Sequence, residues 1–300
     1  MNQQWPLAGM GTLCGLFGKT RQAYYEAIWR EEKVINEQEL IIQEVKRIRE
    51  NLPRVGTDKL YFLLADFFND NNLKMGRDKL YALLRAHNLL IKRSKRRAVT
   101  TNSNHPFYKY PNLVKDFIPA RPNELWVSDI TYVLLPGKFA YLSLITDAYS
   151  KKIIGWSLQK NLQSKGPLEA LKMALEHSRR KLNHLFHHSD RGTQYCSNEY
   201  IHLLKKNKIS ISMTRDGDPG ENAIAERING TIKNEFYCRG FLSFPLAQEG
   251  IAKAIYAYNH LRPHASCDYL TPAQAHGKKG VLHKRWYNNT TKNYNLLNAI

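Results

Sequence analysis

Residues 183–195 read NHLFHHSDRGTQY. The apolar pair Leu185-Phe186 runs through two histidines and stops at Ser189-Asp190-Arg191-Gly192, the pattern of a short buried strand ending in a charged turn. Placing an aspartate at that lip is unfavourable, because an unpaired carboxylate beside a core loses several kcal/mol of hydration unless it is protonated or bound. A second stretch repeats the problem. In ELWVSDITYVLL (124–135), Asp129 stands among residues that want burial on both faces.

Outward from these two acids, the chain reads as alternating elements. ELWVSDITYVLL, KFAYLSLITDAYS (138–150) and KKIIGWSL (151–158) predict a three-stranded antiparallel meander. An amphipathic helix over 164–180 follows, then HLFHHS (184–189) as a fourth strand. A helix over 197–206, a fifth strand at ISISMT (209–214) and a helix over 221–236 complete the run. The order βββαβαβα is that of an α/β, ribonuclease-H-like core, a five-stranded mixed sheet with flanking helices. In that fold the first and fourth strands are neighbours, so Asp129 and Asp190 converge, and a cation between them relieves their repulsion.

A third acid comes from the last helix. Ile224, Ile228 and Ile232 recur every four residues and define its buried stripe. Glu226 lies roughly 200° around from that stripe, and Asn222, Asn229, Gly230 and Lys233 lie within about a right angle of it, so one face packs and the other is polar. DPGEN (218–222) supplies the turn before it. Three carboxylates without a cysteine-histidine cage suit Mg²⁺ or Mn²⁺. Two such ions would suit an in-line displacement at a phosphate ester.

Thirty-five residues separate Asp190 from Glu226. With WVSDITY (126–132), DAYSKKIIGW (147–156), HSDRGTQY (188–195), ENAIAERINGTIKNE (221–235) and YNHLRPH (258–264) in order, the chain resembles the second-frame transposases of the insertion-sequence-three family, whose core is shared with retroviral integrases. The resemblance implies that Asp129, Asp190 and Glu226 are catalytic metal ligands and that Lys233 contacts terminal DNA. It implies 3′-end cleavage and strand transfer without ATP, on double-stranded DNA made up of the terminal inverted repeats and the target. A homo-oligomer on DNA and a first-frame partner protein are implied as partners. The family commonly shows D-N-A before its catalytic helix, where this chain has Glu221-Asn222-Ala223.

The N-terminal part is helical and basic. Leu13, Leu16 and Phe17 precede Gly18-Lys19, and Thr20 begins a second segment, a helix-turn-helix candidate within 1–35. GTDKLYFLL (56–64) and GRDKLYALL (76–84) repeat at an offset of 20 and predict two similar helices joined by the polar segment 69–72, a second helical DNA-binding unit over 36–98. Lys92, Arg93, Lys95, Arg96 and Arg97 would repel one another unless solvated or set against phosphates. Residues 99–121 read as a linker, 122–276 as the catalytic core and 277–300 as a partly disordered tail.

Forty-five Lys and Arg against 26 Asp and Glu leave a net charge of +19, the footprint of a polyanion partner. Four separated cysteines with no C-x-x-C pair indicate neither zinc nor disulfides and fit a reducing bacterial cytoplasm, here nucleoid-associated. The start lacks the form of a secretory signal, and no apolar run reaches the roughly 18 residues of a membrane span.

Other residues carry rival readings. Asp147 reads as a turn acid, His187 as packing, and His188 as either a neighbour of the metal site or a core histidine. Arg191 reads as part of a turn or as a DNA contact, and Asn222 as a DNA contact. His260 and His264 are four apart, but Pro263 breaks the helical register that would align them on zinc. The alternative functions are a ribonuclease-H-like nuclease, or a non-catalytic DNA-binding regulator derived from a transposase.

Overall fold

The computed structural model describes residues 9–92, 106–178, 184–215, 221–237 and 240–285. Two compact units emerge: residues 1–50 with 60–90, and residues 51–59 with 91–300. The first is helical, built on α1 (Met10–Leu16), α2 (Arg21–Asn51), α3 (Thr57–Leu63), α4 (Ala65–Asp70) and α5 (Arg77–Ala86). Thr20 caps α2 as expected, its Oγ1 accepting the Ala23 N–H at 3.1 Å. The short second helix of the expected hairpin is instead one helix of 31 residues. Between Arg21 and Asn51 the sequence has no glycine or proline to stop it, so the boundary expected at 35/36 falls inside α2.

The internal repeat is a packing repeat. Leu60 and Leu80 hold the same place in the two copies, as do Leu64 and Leu84, and all four are fully buried. The two helices are not joined by a plain polar segment, since α4 forms between them and takes in Asn69 and Asp70. Of the basic run, Lys92 is exposed. Arg93, Lys95, Arg96 and Arg97 lie outside the described residues.

The second unit carries β1 (Leu125–Leu135), β2 (Lys138–Asp147), β3 (Ile153–Gln159), α6 (Lys165–His177), β4 (Phe186–Ser189), α7 (Asn198–Lys206), β5 (Ser210–Met213), α8 (Ala223–Phe236), α9 (Phe244–His260) and α10 (Pro272–His276). The sheet order is β3-β2-β1-β4-β5, with β1 to β3 antiparallel and β4 and β5 parallel to β1. This is the five-stranded mixed sheet the sequence predicts. Alternation along the strands feeds two cores. Trp126 and Ile145 meet Leu171 of α6 and Tyr200 of α7 on one face, while Val133, Leu142 and Leu144 meet Ile232 of α8 and Ile255 of α9 on the other.

Three features depart from the sequence reading. Helix α9 has a capping serine, Ser243, whose side chain accepts the Leu246 N–H, and a proline in its first turn; both signals are local and easily passed over. The C-terminal tail is tied to the core as far as residue 285: Gly280 N–H donates to the Ala120 carbonyl at 2.8 Å, and Tyr149 Oη donates to the Gly280 carbonyl at 2.9 Å. The expected linker also packs on the sheet, where the Pro111 carbonyl accepts the Met213 N–H at 3.3 Å. Among the described residues no helix is long and apolar enough to cross a membrane.

Gly155 marks the closest approach of helix to sheet. A Cβ there would sit 2.1 Å from the Ala170 carbonyl oxygen and 3.0 Å from Ala174 Cβ, both on α6. Gly155→Ala is expected to lower stability by about 1–3 kcal/mol, read as a lower urea midpoint. Gly230→Ala on α8, where the nearest heavy atom is 3.9 Å away, is expected to leave stability unchanged or raise it by up to about 1 kcal/mol.

Candidate active site

Parallel pairing of β1 with β4 sets the site. Leu125, Trp126 and Val127 pair with Phe186, His187 and His188. Carried two residues further, the same register puts Asp129 opposite Asp190, on strands spaced about 4.8 Å apart. Asp129 also shares its sheet face with α8. Its Oδ2 accepts Asn229 Nδ2–H at 2.8 Å, and its Oδ1 accepts the Ile130 N–H at 2.8 Å. Burial first, and then the charge of Asp190, push the Asp129 carboxyl up to about 7; the two hydrogen bonds pull it back only in part, and Glu226 adds a smaller upward push.

Asp190 is held by its own turn. Its Oδ1 accepts the Gly192 N–H at 3.0 Å, and a Cβ at residue 192 would lie 3.0 Å from both Asp190 Oδ1 and Gln194 Oε1. The glycine thus lets the backbone close on the carboxylate. Arg191 beside it is half-buried. Glu226 lies in the first turn of α8 and is exposed, with burial still raising its carboxyl somewhat. Among the described residues, no three acidic, histidine or cysteine side chains are gathered tightly enough to hold a metal ion. The expected ligands are thus not gathered into one cluster, although Asp190 and, less strongly, Glu226 act on the Asp129 carboxyl through their charge.

The polar face of α8 differs from its sequence reading. Asn222 and Asn229 are both 5% exposed, because the buried arc of the helix extends past the isoleucine stripe to them. Asn222 was expected at DNA; instead its Nδ2–H donates to the Ser128 carbonyl at 3.0 Å, fixing the start of α8 to β1. Asn222 Oδ1 and Asn229 Oδ1 are buried without hydrogen-bond partners. Asn229 was the residue missed, and its signal was present, an amide three residues after Glu226 and so on nearly the same side of a helix. Lys233, one further turn along, is half-buried. Glu221 accepts the Arg215 N–H, which ties the helix start to the end of β5.

Behind the acids lies a closed polar network. His187 Nε2 is 2.7 Å from Ser128 Oγ and 2.8 Å from Tyr200 Oη. Burial lowers the His187 imidazole to about 3, so it is neutral there. His188, on the opposite parity, bonds Ser212 Oγ through Nδ1 at 2.9 Å and is likewise lowered by burial. Both histidines fasten strands together.

Asp147 behaves differently from Asp129 although burial acts on both. Burial pushes its carboxyl up, but His276, Ser150 and the Asn123 N–H outweigh that and hold it below the usual range. It accepts from Asn123 N–H at 2.7 Å, Ser150 N–H at 2.8 Å and Ser150 Oγ–H at 2.6 Å, which makes it the turn acid its D-A-Y-S context predicts. YNHLRPH is a clamp. Arg262 makes a bidentate pair with Glu235 at 2.6 Å twice, and the Asn259 amide bonds both backbone groups of Ile153 at 3.0 and 2.9 Å. His260 is exposed against Tyr256, whereas buried His264 bonds Ser266 at 2.7 Å, so the two do not form a metal pair.

Comparison with known proteins adds a family. Residues 119–219 and 207–272 match families described as integrase core domains. The chain is 35% identical over 227 residues to the uncharacterized 31 kDa protein of insertion element IS600 from Shigella sonnei, covering 74% of this chain and 81% of that one. It is 32% identical over 200 residues to the transposase InsF of insertion sequence IS3A from Escherichia coli, covering 66% and 69%. Among solved structures, the simian T-cell lymphotropic virus intasome bound to a PP2A regulatory subunit is 18% identical, with a TM-score of 0.48 over 79% of this chain and 76% of that one.

The raised carboxyl of Asp129 has a thermodynamic consequence. Its folded value is about 7 and the unfolded value about 3.9, so between them the folded state binds more protons. In metal-free protein its contribution to stability is therefore complete below about pH 4 and is lost as pH rises through 7. Neutral His187 works in the opposite direction, so the effect is read as the difference between wild type and Asp129→Asn in urea titrations. The wild type is expected to lose up to a few kcal/mol relative to the variant from pH 4 to 8; a constant difference would contradict the assignment.

Proposed function

The chain belongs to the insertion-sequence-three family of transposases with an integrase core, and from that membership we propose that Asp129, Asp190 and Glu226 carry its polynucleotidyl-transfer chemistry. The observation that carries this reading is the coupling of Asp129 to Asp190, two residues beyond the Val127–His188 rung of β1 and β4, which with burial raises the Asp129 carboxyl to about 7. A half-buried pair of like charges, with two buried amide oxygens beside it lacking hydrogen-bond partners, has the donor chemistry of a hard divalent cation site. Asp129, Asp190 and Glu226 would hold Mg²⁺ or Mn²⁺. When bound, such ions supply positive charge for the scissile phosphate and for the attacking hydroxyl, two ions serving both ends of the displacement.

The chain's own residues do the rest. Asn229 and the Ile130 N–H fix both oxygens of Asp129, so its remaining lone pairs point one way. Gly192 N–H orients Asp190. Asn222 anchors the helix that bears Glu226 and replaces its expected DNA contact with a positioning role. No covalent protein nucleophile and no ATP would be required: water would attack the phosphorus and release the element's 3′-hydroxyl, which would then attack a target phosphate and displace the target strand's 3′-oxygen. The substrate is double-stranded DNA, the inverted repeats at the element's ends and then the target. Lys233, Arg191 and the basic run at Lys92, Arg93, Lys95, Arg96 and Arg97 are its proposed phosphate contacts, and the +19 charge supports such a partner. A homo-oligomer on the DNA, a first-frame partner protein and a nucleoid-associated place in the bacterial cytoplasm belong to the same reading. The proposed DNA-binding role falls to the helical unit of residues 1–50 with 60–90, and the proposed catalytic role to the other unit.

Strand transfer by purified full-length chain with Mg²⁺ and duplex carrying the element's ends is the test. Asp190→Asn and Glu226→Gln are expected to lose cleavage and transfer by at least about a thousandfold while remaining folded. Asn229→Ala is expected to lose about 10- to 100-fold through misplacement of Asp129. Asp147→Asn is expected to be less stable, with the folded fraction as active as wild type. Wild-type rates in Asp190→Asn would overturn the proposal.

A further inference from the structure

From residue 106 onward, the segment expected to be a plain linker is laid against the catalytic unit. Its far end is pinned to β5: Leu113 N–H donates to Ser212 Oγ at 2.9 Å, and the Pro111 carbonyl accepts the Met213 N–H at 3.3 Å. Val114 is buried. Tyr110 packs on the core between sheet and α7, with Lys205 Nζ 5.9 Å from its ring centre. Tyr108 meets Tyr110 edge to face at 4.9 Å. These contacts fix the run Phe107-Tyr108-Lys109 yet leave it in water, Tyr108 at 72% and Phe107 at 40% exposure.

A single exposed aromatic is ordinary. Three aromatics around a lysine, on a segment fastened to β5, are a different matter. Phe107 lines a cavity of about 510 Å³ together with Leu162, Lys165, Thr193, Gln194 and Glu199. Thr193 and Gln194 are the third and fourth residues after Asp190. Lys109, with Arg191, opposes the field of Asp190 at the buried Cys196 thiol, so its charge reaches the acid loop. The cavity falls within the size range of small-ligand sites and has one aromatic wall, a cation and groups able to address a base edge. Aromatic faces beside cations hold unpaired bases, because every base has a π-face and every phosphate a charge. The cations favour a nucleic acid over an apolar protein surface.

We propose that residues 107–109 form a base-stacking platform that receives an unpaired base flanking the scissile phosphate, with Phe107 as the cavity wall, Tyr108 as the open stacking face and Lys109 at the adjoining phosphate. The proposal rests on the DNA-transfer reading above and adds what the DNA must do there, which is to open. Stacking tolerates any sequence, so the test uses a blunt duplex of arbitrary sequence and the same duplex with a short unpaired fork containing 2-aminopurine, both with the full chain and no divalent ion. Wild type is expected to bind the fork more tightly than the blunt duplex and to quench the fluorescence. Phe107→Ala and Tyr108→Ala are expected to lose the quench and about tenfold in fork affinity, with blunt-duplex affinity unchanged, while Tyr108→Phe retains both. Wild-type fork binding and quench in either alanine variant, or no preference for the fork in wild type, would overturn the platform and leave the transfer chemistry to its own assay. Failure to bind either DNA would overturn both.

Discussion

The unit is organised around a repulsion. Parallel pairing of β1 with β4 leads two carboxylates toward one another at the end of β4, close enough for one to raise the other. Neither can turn away. Asp129 is held from α8 by Asn229, and Asp190 by the backbone of its own turn. Behind the sheet, neutral His187 joins Ser128 to Tyr200, so β1, β4 and α7 are locked in one alignment. A protein that invests three elements in keeping two like charges together is built for something that neutralises them.

The contrast between Asp129 and Asp147 separates a chemical acid from a structural one. Both lie in the sheet region, Asp147 fully buried and Asp129 half-buried. Asp147 is surrounded by donors and is held ionised, closing the β2–β3 turn against α10 through His276 and Ser150. Asp129 has two donors and a like charge, so its ionised form is disfavoured. At the other end of the unit, the Arg262–Glu235 pair and the Asn259 amide on β3 clamp α8 and α9 onto the sheet. The motif YNHLRPH thus supports α8, the helix that carries Glu226, without touching the acids.

Much of this was legible in the sequence because it depends on period and spacing. Asp129 and Asp190 were visible as acids inside apolar runs, and the mixed sheet followed from the order of elements. The 35-residue gap to Glu226 was visible as soon as the strands were placed. What escaped depends on contacts between distant residues. The angle of Asn229 on α8 was known, but not that β1 would bury that angle and bond it to Asp129. The strap at 106–114 looked like a linker because its anchors are backbone groups of Pro111 and Leu113, which have no sequence signature. The uninterrupted run of α2 was hidden by an assumed hairpin at its start. Glu226 has the right spacing and its charge reaches Asp129, the weakest of the influences on that carboxyl.

The most direct measurement is titration of the full chain with Mn²⁺ followed by electron paramagnetic resonance. The account predicts that wild type removes Mn²⁺ from solution at a protein site, that Asp129→Asn and Asp190→Asn each abolish it, and that Glu226→Gln weakens it. Undiminished Mn²⁺ binding in Asp190→Asn would mean that these side chains do not share an ion, and the central claim would fall.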